Sequence, residues 1–289
     1  MTTRGSAPVG KATVAFVLGG GGHLGAIQVG MLRALLERGI RPDLILGTSV
    51  GAVNGVVVAA NPTTEAADAL EDFWGRIEET GVFGGSLMAR LGTLARTRTH
   101  LHDASGLRRA LEEWLPVTRI EELAVPFRCV AASIERASEH WFTAGPIGDA
   151  VLASAAVPGL LAPVVIDGEH FLDGGLVNSI PVGRAVELGA TELYVLQVGR
   201  VDRPLEVPQW PWQVGLVAFE IARRHRFAGD MAALPTDVVA HVLPTGQTEP
   251  PGFRDLSGRR YADTSAIGER IARAHEASLR YLEEARASR

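Results

Sequence analysis

Short, wholly apolar runs alternate with helix-spaced apolar stripes along the N-terminal part of the chain. Val14–Leu18 is apolar at every position, which is typical of a strand buried on both faces. Ala26–Arg38 carries apolar residues at helical spacing and is followed by Gly39, a residue type that commonly ends helices. A strand over Asp43–Leu46 and a helix over Val50–Ala60 repeat this order. The alternation predicts a mostly parallel sheet with helices on both faces.

The same alternation continues through the rest of the chain. It predicts helices over residues 63–79, 106–115, 147–155 and 263–286, and strands over residues 127–133, 192–199 and 237–243. Residues 166–172 indicate a tight turn followed by a strand. These elements predict a single α/β domain with three layers, α/β/α, around a mostly parallel central sheet. We place the domain at residues 13–289, after a flexible tail over residues 1–12. Its core spans about 14–199, and a helical C-terminal part spans about 210–289.

Composition and charge exclude two broad classes of protein. The 289 residues are 46% hydrophobic and 21% charged, which argues against a disordered chain. The net charge of −5 argues against a nucleic-acid partner, because general nucleic-acid binders need a basic field. An ordinary globular domain with a sizeable core remains.

The single cysteine and the apolar runs bear on the compartment. Cys129 has no partner for an intrachain disulfide and lies in a strand-like run, so we expect a buried structural thiol and a reducing compartment. Residues 1–10 hold no apolar stretch, which predicts no signal peptide. The longest apolar run, residues 150–166, is interrupted by serine, proline and glycine and is too broken for a membrane span. We expect a cytoplasmic protein.

A run of glycines joins the first predicted strand to the first helix. The loop Gly19–Gly25 contains G-x-G-x-x-G at Gly20, Gly22 and Gly25. The N-terminus of a helix there offers free N–H groups to a negative charge. Two chemistries use such a loop, namely binding of a dinucleotide pyrophosphate and stabilisation of an oxyanion by N–H groups. The loop by itself leaves both open.

The next strand-to-helix turn favours the second chemistry. It reads Gly47-Thr-Ser49-Val-Gly51, which is the G-x-S-x-G pattern of a nucleophile elbow in its usual strand–turn–helix setting. A dinucleotide site expects an acidic residue at the end of this strand, whereas Asp43 lies at its start. The flanking Gly47 and Gly51 allow a sharp turn that presents the Ser49 hydroxyl. A plain Gly-Ser turn is the alternative.

A nucleophilic serine needs a base. No histidine of the chain stands in an obvious loop after a strand with glycine neighbours, although His241 and His275 have the usual order after the serine. Asp173-Gly174-Gly175 is a better candidate, because two glycines after a short predicted strand let the backbone turn and hold the carboxylate forward. A simple Asp-Gly turn is the alternative.

Taken together, these motifs resemble the patatin-like phospholipase family. The glycine loop, the elbow and Asp173-Gly-Gly occur in that order, and the flanking stretches 153–159 and 176–181 are also similar. The resemblance extends over about Val14 to Gly199 and continues weakly beyond. It implies a lipid acyl hydrolase of the phospholipase A or lysophospholipase type, with no cofactor and no metal ion. It also implies Ser49 as nucleophile and Asp173 as base, with oxyanion N–H groups from Gly20, Gly21 and Gly22.

One position departs from the family pattern. The family usually carries arginine or lysine just before the last glycine of the loop, where this chain has Leu24 after His23. We consider two roles for His23, an auxiliary one that partly replaces the cation and a plain solvent-facing one.

A phospholipid or other acyl-ester substrate implies peripheral contact with a membrane. Residues 86–98 carry apolar residues at helical spacing with three arginines among them, which suits an interfacial helix or a lid. Trp210 and Trp212 suit an interface as well. For all of these we favour ordinary packing, since most apolar stripes belong to a core.

Three other functions stay open from the sequence. The same site suits a soluble carboxylesterase or acyl thioesterase. A non-catalytic module could bind a nucleotide through the glycine loop, and a patatin-like fold without activity could act as a binding partner. The intact Ser49 and Asp173 argue against the last.

Overall fold

A computed structural model describes residues 13–76, 105–199, 204–205, 207–247 and 265–287. Eight strands of this part of the chain form one sheet, in the order β5-β6-β3-β2-β1-β7-β8, with β4 paired to β3. They are β1 (Val14–Leu18), β2 (Leu44–Thr48), β3 (Phe127–Ser133), β4 (Ser138–Phe142), β5 (Val164–Ile166), β6 (Glu169–Asp173), β7 (Glu192–Leu196) and β8 (Val239–Val242). Strands β3, β2, β1, β7 and β8 run parallel, and β4, β5 and β6 add antiparallel pairs.

Helices pack on both faces of the sheet. They are α1 (Gly25–Glu37), α2 (Val50–Ala60), α3 (Thr64–Gly75), α4 (Ser105–Trp114), α5 (Ile147–Ser154), α6 (Gly175–Asn178), α7 (Val182–Glu187), α8 (Pro211–Ala232) and α9 (Ser265–Ala287). Alternate residues of β1 join different cores. Phe16 packs with α1, α2, α3 and α9, whereas Val17 packs with α7 and Phe227 of α8. The α/β fold with its mixed, mostly parallel sheet is therefore confirmed.

The C-terminal helix packs closely on the first helix. A Cβ atom added to Gly30 of α1 would lie 2.2 Å from the carbonyl oxygen of Ile271 and 2.7 Å from the nitrogen of His275, both in α9. Only glycine permits this approach of two helix backbones, so α9 packs directly on α1 at Gly30.

Most predicted elements occur, with small differences at their ends. Strand β2 runs on through Gly47 and Thr48, because these residues pair in parallel with Cys129 and Val130 of β3. Strand β7 ends at Leu196, where its pairing with β1 ends, instead of reaching Gly199. Strand β4 was not predicted, because its sequence SEHWF is too polar to suggest a strand.

Several individual expectations are settled by burial. Cys129 is fully buried, and this burial raises the pKa of its thiol well above the ordinary range, as expected for a structural thiol. Trp210 is 61% exposed, so the packing that we favoured for it is wrong: its ring lies beside α8, outside the core. Residues 86–98 and the Trp212 side chain lie outside the described residues.

Candidate active site

The sheet register brings the serine turn and the aspartate turn together. Strand β4 pairs with one edge of β3, so β2 and β6 must share the other edge, one after the other. Thr48, the last residue of β2, pairs with Val130, and Asp173, the last residue of β6, pairs with the adjacent Ala131. Because β6 runs antiparallel to β3, the ends of β2 and β6 meet. Ser49 and Asp173 therefore lie beside one another.

The backbone at Ser49 has the strained geometry of a nucleophile elbow. Ser49 has φ 54° and ψ −123°, a left-handed conformation that costs a residue with a Cβ atom about 1–3 kcal/mol. It directly precedes α2 and is only 7% exposed. The backbone N–H of Ser49 donates a hydrogen bond to the hydroxyl of Ser154 (3.0 Å), which helps to hold this conformation.

The elbow glycines are required by close backbone contacts. A Cβ atom on Gly51 would lie 2.2 Å from the carbonyl oxygen of Leu18, and one on Gly47 would lie 2.6 Å from the Cα atom of Ala52. The N-terminus of α2 can thus approach the end of β1, where the glycine loop begins.

The aspartate is buried and only partly hydrogen-bonded. Asp173 is 3% exposed, and its Oδ1 atom accepts a hydrogen bond from the N–H of Gly175 (2.7 Å). Its Oδ2 atom has no hydrogen-bond partner among the described residues. Burial raises the pKa of Asp173 to about 6, against the opposing effects of the nearby Ser49 hydroxyl and the Gly175 N–H. At neutral pH this carboxylate is a stronger base than an ordinary aspartate.

Ser154 links the two turns, although sequence reasoning gave it no role. Its hydroxyl accepts the N–H of Ser49, and its carbonyl oxygen accepts the N–H of Gly174 (3.1 Å). A Cβ atom on Gly174 would lie 2.1 Å from the carbonyl oxygen of Val130, so the Asp173 turn packs directly against β3. The Ser154 contact with Ser49 spans 105 residues of sequence, and no local pattern signals it.

The glycine loop lies beside the elbow. A Cβ atom on Gly20 would lie 3.4 Å from the Cβ atom of Ser49. The N–H of Gly20 is already engaged, because it donates to the carbonyl oxygen of Ser179 (2.9 Å). Gly21 precedes a short 3-10 helix over Gly22–Leu24, and Gly22 has φ 57°, a conformation that favours glycine. Gly21 and Gly22 therefore remain as the candidates for binding an oxyanion.

Leu24 and His23, where the loop departs from the family pattern, differ in their burial. Leu24 is 8% exposed and belongs to the apolar core, whereas the adjacent His23 is partly exposed. The auxiliary role of His23 stays a prediction.

The two histidines with the usual order after the serine are engaged elsewhere. His241 of β8 stacks on Tyr194, with ring centroids 4.9 Å apart. His275 of α9 pairs through Nε2 with Glu37 at the C-terminal end of α1 (2.6 Å). Among the residues that the structure describes, Asp173 is an ionisable group that lies beside Ser49.

Comparisons with known proteins identify the family. The profile of the patatin-like phospholipases matches residues 16–186, a segment that contains the glycine loop, the elbow and the Asp173 turn. The chain belongs to the patatin-like phospholipase family.

Individual relatives are more distant. The chain is 30% identical over 190 residues to Lysophospholipase nte1 of Aspergillus terreus, covering 66% of this chain and 12% of that protein. It is 35% identical over 176 residues to an uncharacterized NTE family protein of Mycobacterium tuberculosis, covering 58% of this chain and 44% of that protein. The chain thus spans less than half the length of these curated relatives.

Among solved structures, VipD from Legionella pneumophila overlaps 94% of this chain and 67% of its own, with 14% identity and a TM-score of 0.46.

Proposed function

We propose that this chain is a lipid acyl hydrolase of the phospholipase A or lysophospholipase type, which cleaves carboxyl esters through an acyl-Ser49 intermediate. One observation carries the proposal: a buried carboxyl group with a raised pKa lies beside a serine in a strained elbow. Membership of a phospholipase family and the name lysophospholipase of one relative support the lipid substrate.

The chemistry follows from the dyad. Asp173 accepts the proton of the Ser49 hydroxyl while Oγ attacks the acyl carbon. The negative charge that develops on the carbonyl oxygen is held by N–H groups of Gly21 and Gly22. Asp173 then returns the proton to the departing alkoxide. In the second half, Asp173 takes a proton from water while the water oxygen attacks the acyl carbon. Asp173 returns that proton to Ser49 Oγ as the bond between Oγ and the acyl carbon breaks, and the free acid leaves.

The raised pKa of Asp173 suits this role. A general base works best when its pKa lies near the operating pH, and a value of about 6 leaves the carboxylate ionised at pH 7 while increasing its basicity. An alkoxide leaving group needs less protonation than an amine, so the single proton that Asp173 carries is enough to release the alcohol of an ester. This favours ester over amide substrates.

Contact with a lipid surface is the second part of the proposal. Val214 and Ile221 lie on one side of α8 and are each 54% exposed, and Trp210, directly before the helix, is 61% exposed. The opposite side of α8 packs on the site, since a Cβ atom on Gly175 would lie 2.9 Å from the ring of Phe219. Within the described residues no helix combines the length and apolarity needed to cross a bilayer. We assign the exposed side of α8 to peripheral contact with lipid.

The test combines active-site labelling with turnover. We expect the wild-type protein to react with a fluorophosphonate and to hydrolyse a short-chain p-nitrophenyl ester and micellar lysophosphatidylcholine. Ser49→Ala should abolish labelling, and both Ser49→Ala and Asp173→Asn should lower kcat by about a thousandfold or more. Ser278→Ala, at a buried serine of α9, is the matched control and should behave as wild type.

Three outcomes separate the alternatives. Hydrolysis of the short-chain ester without lysophospholipid hydrolysis indicates a soluble esterase on the same site. A wild-type protein inert to probe and esters overturns the hydrolase proposal. Full activity of Asp173→Asn assigns the base to another residue.

A further inference from the structure

A fully buried network of polar side chains lies beneath the glycine loop. Gln28 of α1 and Asn54 of α2 are 0% exposed, and Trp74 of α3 is 1% exposed. The Gln28 Nε2 atom donates two hydrogen bonds, to the carbonyl oxygens of Gly19 and Leu196, both 2.8 Å long. Gln28 therefore ties the first residue of the loop to the end of β7.

Asn54 extends this network to the other end of the loop. Its Nδ2 atom donates to Gln28 Oε1 (2.9 Å) and to the carbonyl oxygen of Gly25 (3.0 Å). Its Oδ1 atom accepts the indole N–H of Trp74 (3.1 Å). Every N–H of the three side chains is thus used, as buried polar groups require.

The indole N–H of Trp74 fixes the orientation of both amide groups in this network. Trp74 offers an N–H and no acceptor, so the oxygen of the Asn54 amide must face it. The Asn54 NH2 group then faces Gln28, which leaves the Gln28 oxygen on that side. The Gln28 NH2 group must therefore point to the loop carbonyls. One hydrogen on α3 determines how both amides are oriented.

This orientation fixes a peptide plane of the loop. The carbonyl of Gly19 is held from below by Gln28, and the N–H of the same peptide, on Gly20, is held by the Ser179 carbonyl at 2.9 Å. The loop residues Gly21 and Gly22 follow this fixed plane directly, and Gly25 is fixed at the far end by Asn54.

We propose that Trp74, Asn54 and Gln28 are positioning residues that hold the glycine loop in the geometry for binding the oxyanion. The inference rests on the proposed hydrolase function for its catalytic consequence. Its structural part, that the indole N–H orders the loop, holds independently of turnover.

The central variant is Trp74→Phe, which keeps an aromatic ring and deletes the N–H. We expect kcat for the short-chain ester to fall by about tenfold with little change in KM, because a displaced loop weakens a contact made in the transition state. Gln28→Glu, which places an oxygen against the Gly19 carbonyl, should lower kcat further. Trp114→Phe is the control: the Trp114 ring is partly buried against the same cluster and packs on Phe73, with ring centroids 4.6 Å apart.

Amide hydrogen exchange supplies a readout that does not depend on activity. In Trp74→Phe we expect faster exchange in peptides that contain Gly19 and Gly20, and in Trp114→Phe we expect wild-type exchange there. A merely structural role would lower the melting temperature of both variants and leave kcat and loop exchange alike in the two.

The outcomes are distinct for the two proposals. If the wild type is active and Trp74→Phe keeps both its kcat and its loop protection, the positioning role is overturned and the hydrolase stands. If the wild type is inert, the hydrolase falls, and the exchange of Gly19 and Gly20 still decides whether the indole orders the loop.

Discussion

Two residues at the site adopt states that folding alone does not favour. Ser49 has φ 54°, and the Asp173 carboxyl group is 3% exposed, with one oxygen that has no hydrogen-bond partner in the described part of the chain. Strain and buried unsatisfied groups each cost stability, and they concentrate at functional sites. Two hydrogen bonds help to maintain these states: the Ser49 N–H donates to the Ser154 hydroxyl, and the Gly175 N–H donates to Asp173 Oδ1.

The buried carboxyl makes stability depend on pH in an unusual direction. Because the pKa of Asp173 is raised from 3.8 to about 6, the folded protein binds a proton that the unfolded chain has already lost between these values. The contribution of this group to stability is therefore present below about pH 4 and is lost as pH rises through about 6. The loss amounts to about 3 kcal/mol.

Asp173→Asn removes this cost. We expect its free energy of unfolding in urea to exceed that of wild type by up to about 3 kcal/mol at pH 8, and to equal it at pH 4. Asp237→Asn, at an exposed position in the turn before β8, is the control and should show no such difference between the two pH values. An equal gain at both pH values would show that charge burial is not the cause.

At the scale of elements, the two sides of α8 differ in burial. Its inner side contacts Gly175 of the Asp173 turn through Phe219 and joins the core through Phe227, which is 7% exposed. Its outer side carries Val214 and Ile221, seven residues apart and therefore on one helix face, with Trp210 beside the first turn. An apolar side of this kind on a helix over the site suits a lipid surface.

Replacing both aliphatic residues tests this assignment. We expect Val214→Ser/Ile221→Ser to bind phosphatidylcholine vesicles at least about tenfold more weakly than wild type in sedimentation, because each buried aliphatic side chain contributes about 1.5–3 kcal/mol. Val239→Ser, 47% exposed on β8, is the control and should bind as wild type. A change in oligomeric size without a change in vesicle binding would assign this side to contact between copies instead.

At the scale of the whole molecule, the C-terminal helix belongs to the same packed unit as the N-terminal core. Ile271 and Ala274 of α9 are buried in the cluster that also contains Ile27 and Leu70. The close approach at Gly30 requires the two helix backbones to be in contact. We propose accordingly that the domain over residues 13–289 unfolds as one unit.

Gly30→Ala tests this proposal. A new Cβ atom 2.2 Å from the Ile271 carbonyl forces α9 away from α1, and we expect a loss of about 2 kcal/mol or more in a single transition seen alike by circular dichroism and tryptophan fluorescence. Gly268→Ala is the control, because its Cβ atom would meet open space and alanine favours a helix by about 0.5–1 kcal/mol. Two separate transitions in Gly30→Ala would indicate an independently folding C-terminal part.

The sequence by itself determined the local features. The apolar run of β1 and the bounds of α2 and β3 depend on residues a few positions apart, and the predictions for them agree with the structure. The order of the glycine loop, the elbow and the Asp173 turn was also sufficient to indicate the family. Strand β4 was not predicted, because its polar residues form a strand only through pairing with β3, and no local sequence pattern indicates that pairing.

The tertiary structure decided what depends on contacts between distant residues. Burial gives Asp173 its raised pKa, Ser154 reaches Ser49 across 105 residues, and Gln28 reaches the carbonyl of Leu196 across 168 residues. The exposure of Trp210 likewise depends on where α8 lies against the site. Residue types and their spacing predict which groups are candidates for the chemistry. Burial and long-range hydrogen bonds set the orientation and proton affinity of these groups, and both exist only once the elements have packed.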